Sequence, residues 1–263
     1  MIGTVLTIAG SDTIGGAGIQ ADIKTITMQG CYAMTVIAAL TAQNTMGVTK
    51  VMDIPPQFIA DQIDAVFADI VPDAVKIGMV SDKNSIHVIA ERLQHYAPKN
   101  LVIDPVMVST SGHALLKEDA IDTLCKELLP LADLITPNLP EAEVLLGKKI
   151  NTADEMREAA QALCDQFRTS VLVKGGHFTA SAADVLCVGG KFYIFETERI
   201  KTENTHGTGC TLSSAIASGL AKGLSLPESV KRAKHYLTEA LKTGFDIGKG
   251  CGPLLHNYRL FEN

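Results

Sequence analysis

The chain has 263 residues, of which 46% are hydrophobic and 20% are charged, and its formal net charge is −6 at pH 7. These values are typical of a folded globular protein that can bury a sizeable core, and they exclude a disordered chain. The acidic balance and the absence of a basic run argue against a nucleic-acid-binding or anionic-membrane surface.

The cysteine pattern and the N-terminal sequence indicate the cellular compartment in which the protein is expected. The six cysteines include no C-x-x-C pair, and no basic segment leads into a signal-type apolar core at the N-terminus. No apolar stretch reaches about 18 residues without a polar or charged interruption, so we do not expect a transmembrane helix. The sequence therefore predicts a cytoplasmic protein with reduced thiols.

Strands and helices are predicted to alternate along most of the chain. The predicted strands are short β-branched apolar segments, at 4–10, 34–40, 73–79, 100–107, 132–138 and 170–176. The predicted helices carry apolar residues at helical spacing, at 15–30, 55–69, 81–96, 118–129 and 152–166. This alternation predicts right-handed βαβ crossovers and a mostly parallel sheet that helices cover on both faces.

The C-terminal third departs from this alternation. Two short apolar segments within 183–201 surround a pair of glycines and predict a hairpin at the border of the sheet. Two helices are predicted at 208–222 and 227–243, followed by a polar tail of uncertain structure. Because no interdomain linker is evident, we expect residues 1–263 to form a single α/β domain.

A glycine-rich segment precedes the helix predicted at 208–222. Gly207 and Gly209 allow successive N–H groups to point at one anion, and the N-terminus of the helix adds a partial positive charge. A plain glycine turn in which Thr208 caps the helix is the alternative. Cys210 could be a small buried hydrophobe, but a thiol at a helix N-terminus is expected to have a pKa below about 8.5, which makes a thiolate base or nucleophile feasible.

Other residues at predicted strand ends suit phosphate and metal binding. Asp104 and Glu141 would suffice for Mg²⁺ together with substrate phosphates and water, although each could also be a cap or a solvated charge. Asn138 lies three residues before Glu141, where a helix N-cap is the simpler interpretation. Lys174 ends an apolar strand beside two glycines and could hold a phosphate, although a surface lysine is the alternative.

The glycines of the first loop fit no common nucleotide-binding fingerprint. Gly15, Gly16 and Gly18 do not form G-x-G-x-x-G, and the P-loop pattern G-x-x-x-x-G-K-[ST] is absent from the chain. The sequence therefore supports neither the usual dinucleotide-dependent dehydrogenase nor the usual P-loop ATPase, and a tight strand-to-helix turn is the simpler reading of these glycines.

Seven motifs, in order along essentially the whole chain, resemble the ribokinase-like superfamily and, within it, the hydroxymethylpyrimidine/phosphomethylpyrimidine kinases of thiamine biosynthesis. The motifs are GSDTIGGAGIQADIKT, TAQNT, KIGM, DPVM, TPNLPEAE, VKGGH and NTHGTGCTLSSAIA. The resemblance implies a ribokinase-like fold, ATP and Mg²⁺ as cofactors, a small pyrimidine substrate and a homodimer. The anion hole of the superfamily commonly ends in an aspartate base, and Cys210 takes that place here.

The resemblance also implies roles for the residues at the strand ends. ATP would lie against VKGGH and the C-terminal helices, near Lys174 and Asn138. Its γ-phosphate would face the anion hole, formed by Gly207, Thr208, Gly209 and Cys210. Cys210, as a thiolate base, would then take the proton of the substrate hydroxymethyl group.

An acceptor pocket can be argued from the residues as well. Gln43 offers an amide that can pair with a ring nitrogen beside an exocyclic amino group, and an aminopyrimidine has that edge. Met79 and Val106 could cover the faces of the ring, while Gly10 and Ala17 leave room for it, and these positions match the family's pyrimidine site. Core packing is the alternative for Met79.

Two other functions stay open. A pyridoxine or pyridoxal kinase shares the fold, the anion hole and in some cases the cysteine, and one chain could carry both activities. Pyridoxal has a phenolic hydroxyl rather than an amino group next to a ring nitrogen, so Gln43 favours the pyrimidine. A non-catalytic nucleotide-sensing module would bind ATP without turnover, but the chain keeps every candidate catalytic residue.

Overall fold

The computed structural model describes residues 2–108, 115–175 and 182–261. Its strands are β1 (Thr4–Ser11), β2 (Tyr32–Asn44), β3 (Gly47–Asp53), β4 (Ala74–Ile77), β5 (Leu101–Ile103), β6 (Leu134–Ile135), β7 (Ser170–Lys174), β8 (Ala182–Val188) and β9 (Lys191–Thr197). Its α-helices are α1 (Gly18–Met28), α2 (Pro56–Phe67), α3 (Lys83–Tyr96), α4 (Glu118–Thr123), α5 (Leu139–Leu146), α6 (Ala153–Phe167), α7 (Thr208–Ala221) and α8 (Leu226–Thr243).

One sheet joins all of these strands, in the order β3-β2-β1-β4-β5-β6-β7-β8-β9. The six strands from β2 to β7 in this order pair in parallel. The edge strand β3 and the β8–β9 hairpin are antiparallel. The mostly parallel α/β sheet and the hairpin at its border are therefore confirmed.

The structure differs from the prediction at β3 and over the helix predicted at 118–129. No strand was predicted over β3, because this edge strand exposes most of its residues and has no buried face to produce an apolar alternation. The helix predicted at 118–129 is α4 followed by a π-helical turn at Leu124–Leu128 and a 3₁₀ turn at Leu129–Leu131. Pro130 lies in the last of these turns, and a proline cannot continue regular α-helical hydrogen bonding.

Helices cover both faces of the sheet, as expected from the alternation of strands and helices. Along β1, Leu6 and Ile8 belong to the core beneath α2 to α6, whereas Val5 belongs to the core shared with α1, α7 and α8. Successive residues of a strand point to opposite faces, so Thr7 and Lys76 lie on the same face as Val5. Two polar side chains are thereby buried beneath α1 and α7.

The strand register is irregular at two places on the carboxyl edge of the sheet. The β1–β2 ladder shifts between Ala9 and Gly10, and the β2–β3 ladder shifts between Ala42 and Gln43. Such β-bulges redirect side chains and are common beside functional sites. Among the described residues, none of the helices has the length and apolarity that a membrane span requires.

Candidate functional site

The N-terminus of α7 forms a cradle of backbone N–H groups at the carboxyl edge of the sheet. Gly207 precedes the helix with a φ of 86°, and a Cβ there would lie 1.8 Å from the carbonyl oxygen of Gly16. Only glycine fits this left-handed, closely packed position. Within the described parts of the chain, the N–H groups of Gly209 and Cys210 have no acceptor, whereas that of Thr208 bonds a neighbouring carbonyl. These free donors suit an anion.

Lys174 and Asp104 lie beside this cradle. A Cβ on Gly209 would be 3.0 Å from Oδ2 of Asp104 and 3.5 Å from Nζ of Lys174. The Lys174 ammonium donates to Oδ1 of Asp104 at 2.6 Å, and the Thr136 hydroxyl donates to the same oxygen at 3.0 Å. The second carboxylate oxygen of Asp104 therefore faces the cradle, close to a lysine that can neutralise phosphate charge.

Glu141 is buried in the same region and is joined to Asn138 by a capping box. Asn138 N–H donates to Oε2 of Glu141 at 2.9 Å, and Asn138 Oδ1 accepts from Glu141 N–H at 2.9 Å. Burial raises the pKa of Glu141 to about 7, although Lys174 opposes the rise while Asp104 adds to it. The N-cap interpretation of Asn138 is confirmed, and its contact with ATP stays a prediction.

The carboxylates offer hard oxygen ligands for a divalent cation. Among the described residues, no group of three or more histidine, cysteine or acidic side chains is placed to hold a metal ion by itself. Mg²⁺ commonly binds one or two carboxylates together with substrate phosphates and water. Asp104 and Glu141 therefore fit Mg²⁺ as partners of a bound phosphate.

A buried ion pair that was not predicted from the sequence lies beneath the cradle. Lys76 and Asp22 are fully buried, with Nζ of the lysine 2.9 and 3.0 Å from the two carboxylate oxygens. Hydroxyl groups of Thr7 and Ser214 also donate to this carboxylate, at 2.6 and 2.7 Å. The available signals were a lysine inside the apolar strand segment AVKI and an aspartate on the buried side of α1.

The environment of Cys210 corrects one expectation. Burial raises the pKa of the Cys210 thiol to about 11, although the nearby Lys76 ammonium lowers it and the carboxylate of Asp22 raises it further. The expectation that the helix N-terminus lowers this pKa is therefore wrong for the ligand-free protein, since desolvation outweighs the favourable charge. The thiol is protonated at neutral pH.

The predicted pyrimidine-pocket residues surround the end of β1. Gly10 N–H donates to the carbonyl oxygen of Met79 at 3.2 Å, and a Cβ on Gly10 would be 3.0 Å from the Met79 sulfur. Ala17 is the N-cap of α1, and Val106 is half-buried just after β5. The structure brings Gly10 and Met79 into contact, while the roles of all four in ring binding stay predictions.

Asp12, His206 and Gln43 form a network that links this pocket to the cradle. Oδ2 of Asp12 accepts from the N–H groups of Gly16 and Ala17 at 2.9 and 2.8 Å. Nε2 of His206 is 2.8 Å from the same oxygen and 3.2 Å from the amide nitrogen, Nε2, of Gln43. Gln43 was predicted from the sequence, but Asp12 and His206 were not; the available signals were that Asp12 lies three residues before Gly15 and that His206 directly precedes Gly207.

The C-terminal segment crosses the same region. We call residues 246–256 the strap. Two consecutive N–H groups of the strap donate to the hydroxyl of Thr45 at 3.0 and 3.2 Å, and His206 N–H donates to the carbonyl of Gly252 at 3.1 Å. The expected polar tail is thus an ordered part of the site. Residues 176–177 of the VKGGH motif lie outside the described residues.

Comparisons with known proteins bear on this site. A family model described as phosphomethylpyrimidine kinase matches residues 12–255. A hydroxymethylpyrimidine/phosphomethylpyrimidine kinase of Rhizobium meliloti is 48% identical over 267 residues, and the match covers 100% of both chains. The thiamine biosynthesis bifunctional protein ThiED of Geobacter sulfurreducens is 49% identical over 255 residues, and the match covers 97% of this chain but only 52% of that longer protein.

A solved structure is also similar over the full length. Bacillus subtilis pyridoxal kinase in an ADP complex is 36% identical, with a TM-score of 0.92 and 100% of both chains covered. The predicted ribokinase-like fold is supported by this match across the whole chain. Relatives of two substrate classes therefore share the architecture described above.

Proposed function

This chain belongs to the phosphomethylpyrimidine kinase family, and from that premise we propose that it transfers the γ-phosphoryl group of ATP to 4-amino-5-hydroxymethyl-2-methylpyrimidine and then to its monophosphate. The enzyme is a phosphotransferase. The observation that supports the proposal best is the arrangement at one edge of the sheet. There the cradle of free N–H groups lies between the Asp104–Lys174 ion pair and the amide of Gln43.

The phosphate donor is assigned to the side of the cradle that holds Lys174. Phosphoryl transfer needs positioning and charge neutralisation more than covalent help from the protein. Lys174 supplies a positive charge beside Gly209, and the N–H groups of the cradle supply fixed donors. Asp104 and Glu141 would hold Mg²⁺, which neutralises phosphate charge when bound.

The acceptor is assigned to the side that holds Gln43. The amide of Gln43 presents a donor and an acceptor that complement the ring nitrogen and the amino group of the pyrimidine. The hydroxymethyl group would then lie at the cradle, where Cys210 takes its proton during transfer. This step requires the thiolate form of Cys210, which becomes a thiol when it takes the proton, and the charge of Lys76 favours that thiolate.

A coupled assay of ADP release tests the proposal. Wild-type enzyme is supplied with ATP, Mg²⁺ and one of four acceptors: the hydroxymethylpyrimidine, its monophosphate, pyridoxine or pyridoxal. We expect the highest kcat/KM values with the two pyrimidines. ATP binding without turnover on any acceptor would instead support a nucleotide-sensing module.

Pyridoxal phosphorylation is the second candidate function. The similarity to Bacillus subtilis pyridoxal kinase over the full length favours it, either alone or beside the pyrimidine activity. A kcat/KM for pyridoxal equal to or above that for the hydroxymethylpyrimidine would make this the principal activity. The same assay therefore separates the two substrate classes.

The organisation of the protein in solution and in the cell is also a proposal. We expect one domain over residues 1–263 and a cytoplasmic homodimer. Light scattering coupled to size-exclusion chromatography would test the dimer, since a mass near that of the 28.0 kDa single chain contradicts it. Limited proteolysis would test the single domain.

A further inference from the structure

One ring nitrogen of His206 lies within hydrogen-bond distance of two groups, the carboxylate of Asp12 and the side-chain amide of Gln43. Nε2 lies 2.8 Å from Oδ2 of Asp12 and 3.2 Å from Nε2 of Gln43, where the structure places the amide NH₂ group. A carboxylate can only accept a hydrogen bond, so the short contact with Asp12 requires a proton on Nε2. A nitrogen that carries this proton cannot accept another from an NH₂ group. The two nitrogens therefore face each other as two donors, and rotating the amide by 180°, which exchanges its oxygen and nitrogen, brings the oxygen to His206.

The charge state of Asp12 agrees with this assignment. Burial would raise the pKa of Asp12, but the hydrogen bonds from His206 and from backbone N–H groups lower it, and the net result is a pKa below the usual value. The carboxyl group is consequently ionised at neutral pH and has no proton to donate. Both Asp12 and His206 are nearly buried, which keeps competing water from their contact.

The opposite end of the amide gives an independent reason for the same orientation. Thr41 Oγ1 lies 2.9 Å from the carbonyl oxygen of Ser11 and 3.1 Å from Oε1 of Gln43, so before the rotation two acceptors compete for its one proton. A backbone carbonyl only accepts, so the single hydroxyl proton of Thr41 is donated to Ser11. The hydroxyl can then only accept from Gln43. The NH₂ group must face Thr41, as the contact with His206 also requires.

We propose that His206, held by Asp12, is a positioning residue that fixes the orientation of the Gln43 amide and thereby the direction in which the pyrimidine lies in the site. This inference rests on the proposed function for its substrate. With Oε1 bound to His206 and NH₂ bound to Thr41, one lone pair and one N–H of the amide remain for the ligand.

The orientation has a consequence for the reacting group. His206 is followed directly by Gly207, so in the rotated amide the oxygen of Gln43 is on the cradle side and the NH₂ group is away from it. The oxygen accepts from the amino group of the substrate, whose carbon adjoins the carbon bearing the hydroxymethyl group. The hydroxymethyl group is thereby directed towards the cradle, and a reversed amide would direct it away.

Two substitutions separate hydrogen bonding from filling of space. His206→Met removes the N–H donor at similar volume, while Asp12 keeps its bonds from the N–H groups of Ile14, Gly16 and Ala17. His206→Gln retains a terminal nitrogen that can donate to both neighbours. We expect His206→Met to lower kcat/KM for the hydroxymethylpyrimidine about tenfold, the effect of about 1.4 kcal/mol, and His206→Gln to recover most of this loss.

A double-mutant cycle with Gln43→Leu tests whether His206 acts through the amide. If it does, His206→Met has almost no further effect on kcat/KM once Gln43 is leucine. Losses that multiply in the double variant, or a His206→Gln variant as impaired as His206→Met, would overturn the proposal. His87→Met is the control, since His87 is an exposed histidine that bonds Glu127, and it should leave the ratio of pyrimidine to pyridoxal activity unchanged.

A measurement on the ligand-free protein separates this proposal from the proposed function. Nuclear Overhauser effects from the side-chain NH₂ protons of Gln43 should reach the methyl group of Thr41 and not the ring of His206. The reverse pattern would overturn the assigned orientation whatever the substrate is. Lack of wild-type turnover with either pyrimidine would instead refute the proposed function while leaving the NMR result valid.

Discussion

The thiol of Cys210 gives a prediction whose size follows from its environment. Its pKa of about 11 lies four units above neutral pH, so about one molecule in 10⁴ carries the thiolate at pH 7. If the thiolate is the base for the hydroxymethyl group, the rate of the first phosphorylation should rise about tenfold per pH unit between pH 7 and 9. The monophosphate acceptor has a second pKa of about 6 and is already ionised, so the second phosphorylation should not follow this slope.

Cys210→Ala should therefore affect the two phosphorylations unequally. We expect a loss of about 10²- to 10⁴-fold in kcat for the hydroxymethylpyrimidine, the usual contribution of a general base, and a much smaller loss for the monophosphate. Each acceptor is assayed separately by rapid quench from pH 7 to 9, with ATP binding measured in parallel as the control. Equal losses in both steps, or a pH slope that survives the substitution, would refute the role of Cys210 as a base.

Three further predictions concern the buried charges. Asp104→Asn should raise the Mg²⁺ concentration for half-maximal rate about tenfold or more, as for the loss of one charged interaction, and an unchanged Mg²⁺ titration would reassign Asp104 to structure. The folded protein raises the pKa of Glu141 from 4.5 to about 7, so ionisation of this carboxyl group lowers the stability of the fold as pH rises through that window. Glu141→Gln should therefore increase the melting temperature relative to wild type at pH 8 but not at pH 4. Asp22→Asn leaves the buried Lys76 charge uncompensated and should lower the free energy of unfolding by about 3–5 kcal/mol, or the melting temperature by roughly 10 °C. The Asp22→Asn/Lys76→Met double variant should recover much of this stability when both variants are measured by calorimetry.

The parts of the fold that sequence predicts well are those in which local pattern and burial coincide. The apolar segment of β1 is buried along its length, and the helix that contains Ile19 and Ile26 ends beside Gly30, whose φ is 75°. The strand β3 could not be found by the same reasoning, because its side chains are exposed and its existence depends on pairing with β2. Edge pairing is a tertiary property that a local pattern does not contain.

The candidate site divides in the same way. A glycine-rich turn such as that at Gly207 predicts close contact between two backbone segments, and in the structure Gly207 packs against the backbone of Gly16. The state of the Cys210 thiol could not be predicted, since desolvation depends on which side chains enclose it. The link between Asp12 and His206 joins residues 194 positions apart, and no spacing rule connects groups so distant in sequence.

The strap determines when the site can be completed during synthesis. Thr45 and Asp12 leave the ribosome about 200 residues before their hydrogen-bond partners. Lys249, the partner of Thr45, is 204 positions further along the chain, and His206, the partner of Asp12, is 194 positions further. A nascent chain can form the central strands early, because domains acquire structure as they emerge, but the pocket around Gln43 cannot close before residue 252 has been added. A chain synthesised only as far as the residues before 252 can therefore have an assembled sheet and an unfinished binding pocket.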